Sequence, residues 1–124
     1  MSIEQALEFH LNSVKNRNLD AFASTLVQDD RLTLIMPNGN ALFGYDAIID
    51  FHKNWFADPD WTLQTTLLKL LPADTSATAL LEVTYRDLDA SGQPYQLSYL
   101  LSLTFIQQDG EWRLLFDQNT LTSG

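Results

Sequence analysis

The chain has 124 residues with sixteen acidic and seven basic side chains, which give a formal net charge of −9 at pH 7. The length predicts one domain over residues 1–124, and the acidity excludes phosphate backbones and anionic lipid as favoured partners, so we expect neither nucleic acid nor a membrane. The sequence contains no cysteine, so disulfides and thiolate zinc sites are impossible. The N-terminus lacks a signal-peptide pattern, and we expect a cytoplasmic protein.

Helical periodicity dominates the first half of the chain. Apolar residues recur every three or four positions over residues 3–16, after a capping box that begins at Ser2, and this pattern predicts an amphipathic helix. A shorter helix is predicted over residues 19–26. A third helix opens at Gly44 and ends before Asp58, which precedes a proline and therefore disfavours helical geometry.

Extended segments make up the second half of the chain. The predicted strands cover residues 32–36, with 41–43 as a continuation, and then 61–71, 77–88, 95–107 and 111–120. The last two strands are joined at Asp109-Gly110, a strong hairpin signal because both residues tolerate the positive φ angles of the turn. Helices followed by strands predict the α+β class, with the helices packed on one face of a mostly antiparallel sheet.

The order of these elements and three short motifs resemble the NTF2-like superfamily, and specifically its SnoaL-like branch. The motifs are Pro37-Asn38-Gly39, the run from Phe43 to Phe51, and Asp109-Gly110-Glu111-Trp112. The resemblance implies a cone in which a strongly curved, mostly antiparallel sheet packs against three N-terminal helices. It also implies a homodimer that forms through the outer face of the sheet. Folds of this kind carry enzymes, binding proteins and scaffolds alike.

The superfamily includes ketosteroid isomerases, and the resemblance can be followed residue by residue. Matching residues 17–22 places His10 where those enzymes carry an oxyanion-binding tyrosine. Met36 falls where they carry the aspartate that abstracts a proton, and Leu101 falls where they carry a protonated acid. Methionine and leucine cannot perform either function, so the chain is not predicted to be a steroid isomerase of that type.

The same matching assigns faces to the last strand, because successive side chains leave a strand on opposite sides. The residues predicted to face into the cone are Arg113, Leu115, Asp117 and Asn119. Those predicted to face away are Trp112, Leu114, Phe116 and Gln118. In SnoaL-like polyketide cyclases an aspartate near the end of the sheet is the general acid/base, and Asp117 is its match. Many relatives resemble Asp-His-x-Ser at this segment, whereas Gln118 replaces the histidine here.

Each candidate residue also has a plain structural explanation. Asp117 is either a buried pocket acid with a raised pKa or a strand-end residue that faces water. His10 and His52 lie in the apolar stripes of their helices, where a histidine is either a cavity-lining group or a core residue with one hydrogen bond. Two or three of five aromatic residues are expected to touch the cavity, from the set Tyr45, Trp55, Trp61, Tyr85 and Tyr99. The acidic pair Asp58 and Asp60 is predicted to be a solvated loop.

Two functional classes remain open. In the first, the domain binds a small apolar or amphipathic molecule, or a protein partner, through an apolar pocket. In the second, it is a cofactor-independent enzyme of isomerase, cyclase or hydrolase type that uses Asp117 as general acid/base on an apolar carbonyl compound. The predicted catalytic residues are Asp117, His52 and His10. The predicted ligand-binding residues are Asn119, Tyr99, Trp55, Arg113, Leu101 and Met36. We expect no cofactor and no metal.

Overall fold

The computed structural model describes residues 1–123, and these form three helices and six strands. The helices are α1 (Ile3–Lys15), α2 (Leu19–Ser24) and α3 (Tyr45–Ala57). The strands are β1 (Thr33–Ile35), β2 (Ala41–Phe43), β3 (Thr62–Pro72), β4 (Ser76–Leu88), β5 (Pro94–Gln108) and β6 (Glu111–Ser123). The predicted α+β class is confirmed. One detail differs, since β2 does not continue β1 but turns back and pairs with it in an antiparallel hairpin.

The helix boundaries follow from local hydrogen bonds. At the start of α1, the hydroxyl of Ser2 accepts from the backbone of Gln5 at 3.1 Å, and the Gln5 side chain accepts from the backbone of Ser2 at 2.9 Å. Helix α2 ends at Ser24, two residues earlier than predicted. The chain leaves the helix there because the next residues pair with β6: the Leu114 backbone donates to Thr25 and accepts from Val27.

The six strands form one curved sheet with the order β2-β1-β6-β5-β4-β3. Neighbours pair in antiparallel fashion except β1 and β6, which are parallel. One face of the sheet is buried, with Leu81, Val83, Leu103 and Phe105 each at most 1% exposed. Helical residues such as Leu7 join these side chains in the same apolar core. Among residues 1–123, no helix has the length and apolar character needed to cross a bilayer.

A β-bulge divides β6 into two segments. Thr104 pairs with Phe116 and Phe105 pairs with Leu114, so Leu115 is an extra residue without a partner on β5. The bulge inverts the alternation of side chains, because one inserted residue shifts every earlier position to the other face. The predicted faces of the first segment are therefore wrong: Leu114 lies in the core, 2% exposed, whereas Arg113 does not face the interior.

Candidate active site or binding cavity

A cavity of about 330 Å³ lies between the three helices and the buried face of the sheet. Most of its lining is aliphatic or aromatic, and this part consists of Leu11, Val14, Phe22, Leu34, Met36, Pro37, Phe51, Trp55, Leu63, Tyr85, Tyr95, Leu97, Tyr99 and Leu101. The remaining lining residues are His10, Asn38, His52, Asp117 and Asn119. Pockets that bind small molecules have this composition, namely apolar walls with a few placed polar groups.

His10 reaches the cavity from α1 and is held by one buried hydrogen bond. Its Nδ1 lies 2.8 Å from Oγ1 of Thr25, and that hydroxyl donates its only proton to the carbonyl of Phe22 at 2.6 Å. The hydroxyl must therefore accept from His10, so the imidazole proton is on Nδ1. Burial, together with a smaller contribution from neighbouring His52, lowers the pKa of His10 to about 3. His10 is consequently neutral at physiological pH.

His52 reaches the same cavity from α3 with the same tautomer. Its Nδ1 lies 2.7 Å from the carbonyl oxygen of Ile48, one turn earlier in the helix, and a carbonyl can only accept. Burial lowers the pKa of His52 to about 4, against the opposing effect of the bond to Ile48. The ring of Phe22 stacks on His52 at 4.1 Å and lies 5.5 Å from the ring of His10. We call His10, Phe22 and His52 the helix wall.

The second nitrogen of each imidazole is open to the cavity. In residues 1–123, neither Nε2 forms a hydrogen bond, and no fully buried side-chain nitrogen or oxygen lacks a partner. The two Nε2 atoms must therefore retain accessible surface, and both residues line the cavity. Since each Nδ1 carries the proton, each Nε2 presents a lone pair. The helix wall thus offers two hydrogen-bond acceptors and no donor from its imidazoles.

The facing side of the cavity is formed by strands. We call Tyr99, Leu101, Asp117 and Asn119, from β5 and β6, the strand wall. The amide of Asn119 donates to the carbonyl of Ile35 at 2.7 Å and to Oδ1 of Asp117 at 3.0 Å. Burial raises the pKa of Asp117 to about 7, while the bond from Asn119 acts in the opposite direction. Asp117 is the carboxyl group of the cavity, and it titrates near neutral pH.

Aromatic side chains close one side of the cavity. Trp55 stacks on buried Trp61 with ring centres 4.3 Å apart, and its Nε1 donates to the hydroxyl of Tyr85 at 3.2 Å. The Tyr85 hydroxyl in turn donates to Asp87 at 2.6 Å. Burial and the bond to Asp87 raise the pKa of Tyr85 above its usual range. These contacts fix the orientation of two lining rings.

The structure brings eight of the nine predicted site residues to one cavity. They are Asp117, His52, His10, Asn119, Tyr99, Trp55, Leu101 and Met36. Arg113 is the exception and requires a correction. It lies before the bulge, and its guanidinium donates to the backbone carbonyl of Ser24 and to Glu111, outside the cavity. Of the five aromatic candidates, Trp55, Tyr85 and Tyr99 line the cavity, whereas Tyr45 and Trp61 do not.

Sequence reasoning missed several residues that shape the site. Thr25 orients His10, Phe22 contacts both imidazoles, and Phe51 and Tyr95 add aromatic surface. Phe22 could have been found, since it lies on the apolar stripe of α2. Thr25 could not, because its role depends on where the chain leaves α2.

Oxygens of Asp58, Asp60 and Asp87 come within 4.8 Å of one another. These side chains are exposed or partly exposed.

The family follows from a match over nearly the whole chain. The model of the SnoaL-like domain matches residues 3–118. The chain therefore belongs to the SnoaL-like domain family. No curated protein matches the sequence at a significant level.

Solved structures show the same fold in proteins of different kinds. A ketosteroid isomerase-like protein from Erwinia carotovora atroseptica has a TM-score of 0.82 at 16% identity, covering 98% of this chain and 95% of that chain. A type 2 hexachlorocyclohexane dehydrochlorinase has a TM-score of 0.81 at 14% identity, covering 98% and 83%. The association domain of C. elegans CaMKII has a TM-score of 0.67 at 17% identity, covering 95% and 92%. At these identities the likeness shows the fold alone.

Proposed function

We propose that this SnoaL-like domain binds a small, largely apolar molecule in the cavity. The observation that carries the proposal is the combination of an apolar cavity of about 330 Å³ with open polar atoms of His10, His52 and Asp117. A carboxyl group whose pKa is strongly raised inside a cleft is typical of functional sites. The volume is at the lower end of ligand pockets, roughly 300–1,000 Å³, which favours a compact ligand.

Filling the cavity tests this proposal. Leu101 lines the cavity and is 8% exposed, so Leu101→Trp places an indole in the ligand volume. We expect ligand-observed NMR to detect 4-phenylbutanol, a compact neutral probe, on the wild type and to lose the signal with this variant. Leu97→Trp, at a half-buried lining position, provides a second block.

A matched control separates blocking from unfolding. Leu68 is 49% exposed on β3 and is not part of the cavity, so Leu68→Trp should retain the probe. Circular dichroism and a cooperative unfolding transition establish that each variant is folded. Probe binding that survives in both folded blocking variants would show that the ligand site lies elsewhere.

A second candidate function is acid/base catalysis on an apolar carbonyl compound, without a cofactor. The specific observation in its favour is the pKa of Asp117 at about 7, since a group that titrates near the working pH can both accept and donate a proton. Asp117→Asn should then reduce turnover by about 100-fold or more while changing ligand affinity only a few-fold. Unchanged turnover would eliminate Asp117 as the proton carrier.

We also propose that residues 1–124 act as one domain and form a homodimer in the cytoplasm. The outward positions of β4, β5 and β6 include Leu80, Leu100, Ile106 and Phe116, and Glu82 is the only charged residue at the outward positions of 76–84, 98–106 and 116–120. Interface centres are depleted of charge in this way. Leu100→Arg should convert the dimer to monomer in sedimentation. A wild type of 14.1 kDa in solution would refute the dimer.

A further inference from the structure

The polar atoms left open in the cavity are mostly acceptors. Both protons of the Asn119 amide are used by Ile35 and Asp117, and its Oδ1, which can only accept, has no partner among the described residues. The Nε2 atoms of His10 and His52 present lone pairs, for the reasons given above. Oδ2 of Asp117 also has no partner among the described residues. Against these four acceptors, the lining groups that can donate and have no partner among the described residues are the hydroxyl of Tyr99 and, at exposed positions, the hydroxyl of Tyr95 and the amide of Asn38. The complementary ligand therefore brings donors.

Among residues 1–123, no lysine or arginine lines the cavity beside Asp117. The chain has seven lysine and arginine residues, and none of them lines the cavity: Lys15, Arg17, Arg31, Lys53, Lys69, Arg86 and Arg113. Several are occupied elsewhere, as Lys15 donates to Thr65 and Arg17 stacks on Trp61 at 3.8 Å. A carboxylate in an apolar cavity is costly unless an opposite charge pairs with it. A cation that pairs with ionised Asp117 therefore has to come from outside the described residues, and without one the carboxyl group keeps its proton to a higher pH than usual.

The walls and the surface of the molecule favour a positive ligand. Aromatic faces attract cations, and Trp55, Tyr85 and Tyr95 line the cavity close to one another. Tyr85 donates to Asp87, whose carboxylate lies near those of Asp58 and Asp60. The formal net charge of −9 also favours the approach of a cation. The two histidines are neutral, so they do not repel positive charge.

We propose that the ligand of this cavity is a compact apolar amine bound as its ammonium ion, with Asp117 as the counter-ion and Asn119 Oδ1 as a second acceptor. This inference rests on the proposed binding function and specifies its ligand class. The ammonium group supplies the donors and the positive charge that the cavity lacks. A carboxylate ligand would place a second negative charge beside Asp117, and a neutral alcohol would form only weaker hydrogen bonds, because charge-assisted bonds are about twice as strong.

Three probes of equal chain length test the ligand class: 4-phenylbutylamine, 4-phenylbutanol and 4-phenylbutanoate. Their affinities are measured by ligand-observed NMR at about pH 8 and physiological salt, where Asp117 is mostly ionised and the amine is protonated. We expect the amine to bind at least about 10-fold more tightly than the alcohol, and the carboxylate to bind most weakly. Asp117→Asn should remove the preference for the amine while changing alcohol affinity less than about threefold.

A surface control excludes non-specific attraction to an acidic protein. Asp74 lies on an exposed turn outside the cavity, so Asp74→Asn removes one negative charge without touching the site and should keep the amine preference. Amine preference that persists in Asp117→Asn overturns the assignment of the counter-ion. Equal binding of amine and alcohol, or tighter binding of the carboxylate, overturns the ligand class but leaves the binding cavity intact. Failure of all three probes contradicts the binding proposal as well.

Discussion

The helix wall and the strand wall of the cavity both carry buried titratable groups, yet they behave differently near neutral pH. Burial favours the neutral form in both cases, which lowers the pKa of His10 and His52 to about 3 and 4 and raises that of Asp117 to about 7. Burial thus moves the pKa values of both histidines below the physiological pH range and moves the pKa of the carboxyl group into that range. The imidazoles of the helix wall therefore stay neutral and act as hydrogen-bond acceptors near neutral pH. The strand wall changes its charge there, because Asp117 gains or loses a proton.

The largest expected effect is the pH dependence that Asp117, in the strand wall, gives to the unfolding free energy. The pKa of Asp117 rises from 3.8 to about 7 on folding, so the native state holds a proton that the unfolded state releases. This stabilisation is present at low pH and is lost as the pH rises through about 7. Between about pH 5 and pH 8, Asp117 should remove on the order of 3 kcal/mol of unfolding free energy.

Chemical denaturation of wild type and Asp117→Asn across this range measures the effect. The wild type should lose stability relative to the variant as the pH rises. Asp74→Asn serves as the control for loss of one acidic side chain, since Asp74 is exposed. Parallel pH profiles for wild type and Asp117→Asn would contradict the burial of the carboxyl group and remove the contrast between the two walls.

The next effect is the pH dependence that His10, in the helix wall, gives to the unfolding free energy. It has the opposite direction, because this stability is lost as the pH falls. The pKa of His10 falls from 6.5 to about 3 on folding, so the unfolded state binds the proton more tightly. The stabilisation is present above pH 6.5 and is lost as the pH falls toward 3. Between about pH 6.5 and pH 4.5, His10 should account for about 2 kcal/mol of lost stability.

His10→Asn isolates this contribution, because an asparagine amide can replace the Nδ1 donor to Thr25 but does not titrate. The gap in unfolding free energy between variant and wild type should shift in favour of the variant as the pH falls. His52→Asn is the matched comparison, with its donor directed to Ile48. If His10→Asn retains the full acid sensitivity of the wild type, the protonation of His10 is not what limits stability at low pH.

The smallest expected effect is that of replacing Arg113, which tests whether β6 contributes to the cavity only after the bulge. Arg113 lies before the bulge and donates outside the cavity, whereas Asn119 lies after it and lines the cavity. Arg113→Ala should therefore change the affinity for 4-phenylbutanol less than about twofold, while loss of its surface contact with Glu111 costs at most about 1 kcal/mol of stability. NMR titration measures the first and chemical denaturation the second. A large loss of affinity would place Arg113 in the site.

The sequence predicted the elements well because the patterns behind them are local. The capping box at Ser2, the periodicity of α1 and the turn at Asp109-Gly110 depend on neighbours within a few residues. The predicted faces of β6 are correct after the bulge, with Asp117 and Asn119 facing the cavity and Phe116 and Gln118 facing away. Before the bulge, the alternation argument gave the wrong face for Leu114, because the extra residue Leu115 inverts the alternation and the bulge depends on long-range pairing with β5.

The sequence by itself determined the family, the order of helices and strands, and the chemical groups available to a cavity. Only the tertiary structure decided which groups share that cavity, which imidazole nitrogen is open, and that no lysine or arginine in residues 1–123 lines the cavity with Asp117. The physical reason is that a pKa and a hydrogen-bonding role depend on burial and on partners far apart in the chain. His10 illustrates this, because its partner Thr25 is fifteen residues away and on a different element.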